Sequence, residues 1–106
     1  MSLSITTEAR EQGSLVKVSG EVDVSNASEL REAVSKALDA APEGSEVTVD
    51  IAEVPYIDST GIGVLVGAAH RASEAGSKLV VARPQRNVAR VLGLLGVGSE
   101  LNISED

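Results

Sequence analysis

At 106 residues and a net charge of −7, the chain has room for one core, and its acidic surface repels phosphate backbones, which argues against nucleic acid as a partner. Apolar residues make up 42%, yet Tyr56 is the lone aromatic, so the core has to be built from Val, Leu, Ile and Ala. No cysteine is present, which excludes disulfides and thiolate metal sites, and no apolar run of about 18 residues or signal-like N-terminus stands out. The expectation is a cytoplasmic protein away from the membrane, one domain over residues 1–106.

Taken in order, Leu3 and Ile5 alternate with Ser2, Ser4 and Thr6, Gln12-Gly13 marks a turn, and Val16, Val18 and Val22 resume the alternation. This predicts an antiparallel hairpin whose second strand leaves the sheet near Gly20-Glu21-Val22-Asp23. A helix follows, with Asn26 as N-cap and Glu29 three residues on, a capping-box pattern with Asn in place of Ser or Thr. Its inward residues are Ala27, Leu30, Val34, Ala37, Leu38 and Ala41, and Pro42 and Gly44 end it.

Val47, Val49 and Ile51 then alternate with Thr48 and Asp50, the period of a strand with one face buried. Beyond them Ile62, Leu65, Val66 and Ala69 recur with the period of a helix. Asp58-Ser59-Thr60-Gly61 is therefore a strand-to-helix turn, with Asp58 or Ser59 as N-cap. Free amides and the helix dipole both favour negative charge at such a point. A phosphate on Ser59 would be tolerated by the backbone, yet it would bring about −1.5 to −2 charges beside Asp58. That pattern describes a switch that leaves the fold intact and spoils a docking face.

Lys78 to Ala82 reads as an interior strand, Arg83-Pro84 breaks it, and a third helix spans Gln85 to Leu95 with Val88, Val91, Leu92 and Leu95 inward. Arg83, Arg86 and Arg90 are read as its solvated face, and Leu101 to Ile103 as a short edge strand. The predicted class is α/β: a mixed, mostly parallel sheet of four to five strands, an N-terminal antiparallel hairpin and three main helices. Right-handed crossovers bring the strand ends near Gly20, Ile51 and Ala82 to one edge, so Glu21, Asp23, Asp58 to Gly61 and Arg83-Pro84 are expected to meet there.

Enzymatic chemistry finds little support. The one histidine, His70, lies eleven residues beyond Ser59 on the same helix, roughly 16 Å away at about 1.5 Å per residue, and cannot activate it. Gly61, Gly63 and Gly67 are spaced GxGxxxG, one residue too long for a dinucleotide fingerprint, and are read as points of close backbone approach within the domain or across an interface. Asp23 and Asp58 are a weak metal set without further ligands. No catalytic residue, metal or cofactor is expected.

The segments GEVDVSNASELREAV at 20 to 34 and VTVDIAEVPYIDSTGIGVLVGAAHRASEAGSKLVVARPQRNVARVLGLLGV at 47 to 97 resemble the STAS domain of bacterial anti-sigma factor antagonists. IDSTGIGVL at 57 to 65 is the most specific part, supported by GEVD at 20 to 23. The resemblance implies a non-enzyme in a partner-switching circuit. Ser59 would be phosphorylated by an anti-sigma factor that is itself a serine kinase; the unphosphorylated form binds that factor and frees the sigma factor; a serine phosphatase restores it. Asp23, Asp58, Thr60, Gly61, Gly63 and Val64 are the expected partner-binding residues. Thr60 stands where many members carry a second serine, which leaves a second hydroxyl open to modification. The alternative is an adaptor subunit of a stressosome-like or transporter-linked complex, in which Ser59 is a helix cap.

Overall fold

The computed structural model describes residues 3–105; Ser2, part of the first alternation, lies outside them. Strands β1 (Ser4–Arg10), β2 (Gly13–Ser19), β3 (Glu46–Glu53) and β4 (Lys78–Ala82) form one sheet in that spatial order, accompanied by helices α1 (Ala27–Ala40), α2 (Ser59–Glu74) and α3 (Arg86–Leu94). β1 and β2 are antiparallel, while β2, β3 and β4 run parallel, as the sequence pattern predicts. The expected fifth strand is reduced to one bridge between Ala82 and Ser104, because the chain turns just before it, with Asn102 at φ 49°.

Alternation along the parallel strands sends Val16, Val18, Val47, Val49, Ile51, Leu79 and Val81 to one face, where all are buried in a common core with Leu30, Val34, Leu65 and Ala72 of the helices. Each such side chain contributes about 1.5–3 kcal/mol on burial, so the core rests on many aliphatic groups in place of a few aromatics. α1 packs on α2, and α2 on β4. The opposite face carries Thr6, Lys17 and Asp50 across three adjoining strands.

Several helix faces differ from expectation. Leu38 in the last turn of α1 and Ala41, its C-cap, are only half-buried. α2 buries a wider stripe than predicted, Gly61, Ile62, Val64, Leu65, Ala68, Ala69 and Ala72, because it is flanked by both α1 and the sheet. α3 buries only Val88 and Leu92, leaving Val91 and Leu95 exposed.

Asp50 is a buried carboxylate on the open sheet face. The Arg83 guanidinium, itself 49% exposed at the side chain, pairs with its Oδ2, and the Ala52 N–H donates to Oδ1 at 3.0 Å. Burial pushes the Asp50 carboxyl up, but the Arg83 and Ala52 hydrogen bonds and the positive charges of Arg83 and Lys17 outweigh it and hold it below the usual aspartate value. Asp50 in turn raises the Arg83 guanidinium. Arg83 thus precedes α3 and does not belong to a solvated helix face; the ion pair it makes is with Asp50 and not with Asp23 or Asp58. Gln85 Nε2 and Asn87 Nδ2 donate to the carbonyls of Ala52 (3.0 Å) and Pro55 (2.8 Å), tying the start of α3 to the chain leaving β3.

Candidate functional site

The chain leaving β2 and the chain leaving β3 continue side by side past the ends of their strands. Gly20 N–H donates to Glu53 O at 3.0 Å, Val22 N–H to Tyr56 O at 2.9 Å, and Asp58 N–H to Val22 O at 3.0 Å, with Val22 and Ile57 forming a parallel bridge. These bonds bring Asp23 and Asp58 to one place although they are far apart in sequence. Gly61 completes the joint: a Cβ there would lie 2.6 Å from Val22 Cγ1 and 2.7 Å from Ile57 Cγ1, so only glycine lets α2 begin against the bridge.

Asp58, and not Ser59, is the N-cap of α2. Its Oδ1 accepts the N–H groups of Thr60 at 3.0 Å and Gly61 at 3.1 Å, and its Oδ2 accepts that of Val24 at 3.1 Å. Two of the first-turn amides that would suit an added anion are therefore already held by a carboxylate. Ser59 is the first helical residue, and its side chain is exposed, as is that of Thr60.

The loop on the other side is equally constrained. Asp23 Oδ1 accepts the Ser25 hydroxyl at 2.5 Å and the Ser25 N–H at 2.9 Å. The Ser25 hydroxyl first, then its amide, lowers the Asp23 carboxyl below its ordinary range against a small opposing effect of burial. Asn26 occupies the N-cap position of α1 but makes no capping bond with its side chain, contrary to the capping-box expectation. Its amide is used inside the loop: Oδ1 accepts the Asp23 N–H and Nδ2 donates to Glu21 O, both at 2.9 Å.

Of the residues singled out from sequence, Asp23, Asp58, Ser59 and Thr60 lie together at this edge, and Gly63 is exposed one turn along α2. Gly61 is buried beneath the bridge, and Val64, 6% exposed, faces the core and has almost no surface to offer. Two apolar residues join the site that sequence reasoning passed over: Val24, 75% exposed beside Asp23, and Tyr56, 50% exposed two residues before Asp58. The signal was available, since Val24 is an apolar residue in a polar turn and Tyr56 is the one aromatic. Among the described residues, no three His, Asp or Glu side chains converge as a metal site requires, and no helix is long and apolar enough to cross a membrane.

Two loops zipped past the strand ends and a capped helix start at one sheet edge define the class of the chain as a small α/β module. The family model described as "Mlab, STAS domain" matches residues 5–103. The chain is 31% identical over 104 residues to the anti-sigma-B factor antagonist of Listeria monocytogenes, covering 97% of this chain and 90% of that protein. Its fold superposes with a TM-score of 0.87 on the crystal structure of an anti-sigma factor antagonist from Mycobacterium paratuberculosis, at 21% identity over 99% of this chain and 87% of that one. It is similar also to the anti-sigma factor antagonist SpoIIAA in its unphosphorylated form, with a TM-score of 0.77 at 17% identity over 94% of this chain and 87% of that one, and SpoIIAA has also been solved in a phosphorylated form. The chain belongs to the STAS-domain family of anti-sigma factor antagonists.

Proposed function

We propose that the chain acts as one STAS unit in a partner-switching circuit. Unphosphorylated, it docks on an anti-sigma factor that is a serine kinase and so frees a sigma factor; phosphorylation on Ser59 ends the contact, and a serine phosphatase restores it. The observation that carries the reading is the division of labour at the start of α2: Asp58 supplies the cap, while the Ser59 hydroxyl is exposed and not needed by it. A group added to Ser59 costs the fold little and changes the face greatly, by placing a dianion against Asp58 on a surface otherwise formed by Thr60, Gly63, Val24 and Tyr56. The adaptor reading gives Ser59 the role of helix cap, a role that Asp58 fills here. The work of such a protein is binding and release in place of turnover, within the cytoplasm.

The test is retention of proteins from cell lysate on wild-type, Ser59→Ala and Ser59→Asp baits, followed by addition of ATP. Wild type and Ser59→Ala should hold an ATP-binding serine kinase of the anti-sigma type, Ser59→Asp should not, and ATP should release wild type alone. Equal retention of one set of proteins by all three baits would sink the proposal.

A further inference from the structure

Among the described residues, five large apolar side chains are exposed, and they fall in two places. Val24 and Tyr56 belong to the Ser59 edge. Val91, Leu94 and Leu95 lie together at the end of α3, with Leu94 79% exposed. The same helix carries Arg86 and Arg90, both exposed and, among the described residues, without an ion pair. No acidic residue occurs between Glu74 and Glu100. The outer face of α3 is therefore both basic and apolar, while its inner face, Val88 and Leu92, is packed in the core.

A groove of about 1200 Å³ along the β1 edge of the sheet, between the β1–β2 hairpin and α1, has the opposite charge. Its apolar lining includes Ile5 from the hairpin and Ala33 and Ala37 from α1, whose short side chains leave the space open. Glu11, Glu29, Glu32 and Glu43 line it against Arg10 and Lys36, and none of the four carboxylates is in an ion pair among the described residues. An acidic excess around an apolar lining favours an occupant that is itself basic and apolar.

We infer that the outer face of α3 docks in this groove on a second copy of the chain. Both surfaces are exposed in one molecule, so the contact runs between molecules. Leu94 and Leu95 enter between Ile5 and the alanines of α1, and Arg86 and Arg90 meet the glutamates. The spacing matches: Arg86 and Arg90 are one turn apart on α3, as Glu29 and Glu32 are on α1, in each case about 5–6 Å. Because each molecule offers one helix face and one groove, the contact is head-to-tail and repeats into an open chain or a closed ring. An anionic lipid surface is the other occupant that a basic, apolar helix face suits, but the net charge of −7 sets the whole molecule against it. The inference does not rest on the role of Ser59.

The test is sedimentation of the full chain over a range of concentrations, with two variants at exposed positions. Leu94→Asp spoils the helix face and leaves the groove; Glu29→Arg with Glu32→Arg spoils the groove and leaves the helix face. The wild-type mass should rise steadily with concentration, while each variant, folded by circular dichroism, associates at least tenfold more weakly. Mixed in equal amounts, the two variants should form a one-to-one dimer and nothing larger, because only one intact helix face and one intact groove remain in the pair. A wild type that stays monomeric up to about 1 mM would overturn the inference. So would association that either variant leaves unchanged, or a mixture that stays monomeric where the wild type assembles. A monomeric wild type that co-sediments with phosphatidylserine vesicles, and loses this in Leu94→Asp, would assign the α3 face to a membrane instead.

Discussion

Asp58 and Val24 lie thirty-four positions apart, yet one carboxylate oxygen of Asp58 holds the Val24 N–H at 3.1 Å while the other holds the amides of Thr60 and Gly61. One side chain thus caps α2 and fixes the loop that carries Asp23. Asp58→Ala should cost about 1–2 kcal/mol from the lost cap. It should also free the Val24 loop, so amide exchange at Val24 rises more than the global loss of stability explains. Asp58→Asn keeps one acceptor oxygen, enough to hold the Thr60 and Gly61 amides but not the Val24 amide as well, so it should recover the cap's share of the stability in urea unfolding while leaving the Val24 loop loosened.

The glycines of α2 divide into two kinds. Gly61 faces Val22 and Ile57 at distances no Cβ tolerates, whereas Gly63 has nothing within 4 Å of an added methyl group. Gly61→Ala should therefore destabilise by about 1–3 kcal/mol as the bridge is pushed apart. Gly63→Ala should stabilise the free protein by about 0.5–1 kcal/mol through helix propensity. If the exposed end of α2 is the docking face, Gly63→Ala also weakens partner binding, so its stability and affinity move in opposite directions. Chemical unfolding and a binding titration on the same sample measure both.

Local periodicity made this much legible. The switch from alternating Val47, Val49 and Ile51 to the helical spacing of Ile62 and Leu65 located the Asp58–Gly61 turn, and crossover handedness placed Asp23 beside it. Partnerships set by register were not legible. Asn26 has the composition of a cap, but the Asp23 and Glu21 backbone groups compete for its amide and win. Arg83 reads as one of three arginines at helical spacing, and only the pairing of β3 with β4, which sets Asp50 opposite Ala82, shows that its guanidinium has a buried carboxylate within reach. Val64 fell to the same limit, since the wide buried stripe of α2 depends on what flanks it.

The Asp50–Arg83 pair gives the stability an acid dependence. The Asp50 carboxyl has a folded value below the ordinary 3.8, so its contribution is complete above that value and is lost as the pH falls through the lower, folded one. The urea midpoint of the wild type should fall between about pH 5 and pH 2. Asp50→Asn, already weaker at neutral pH by about 1–3 kcal/mol for the lost charge-assisted bond, should fall less over the same range. Parallel curves for the two proteins would show that other carboxylates govern the acid transition.

Ser59 separates stability from function most sharply. As the first residue of α2 with an exposed side chain, it tolerates an acid: Ser59→Asp gains from the helix dipole about 0.3–1 kcal/mol and loses a comparable amount to the neighbouring Asp58 carboxylate. The thermal midpoints of Ser59→Asp and Ser59→Ala should both lie within a few degrees of the wild type, as changes under about 0.5 kcal/mol require for a domain of this size. Binding to the kinase partner should nevertheless be lost in the first and kept in the second. Incubated with that kinase and ATP, the wild type should take up one phosphate and Ser59→Ala none; uptake by Ser59→Ala would move the modification to Thr60, the adjacent exposed hydroxyl. A drop of ten degrees or more in Ser59→Asp would mean that the residue supports the helix start after all, and its loss of binding would then be a folding defect.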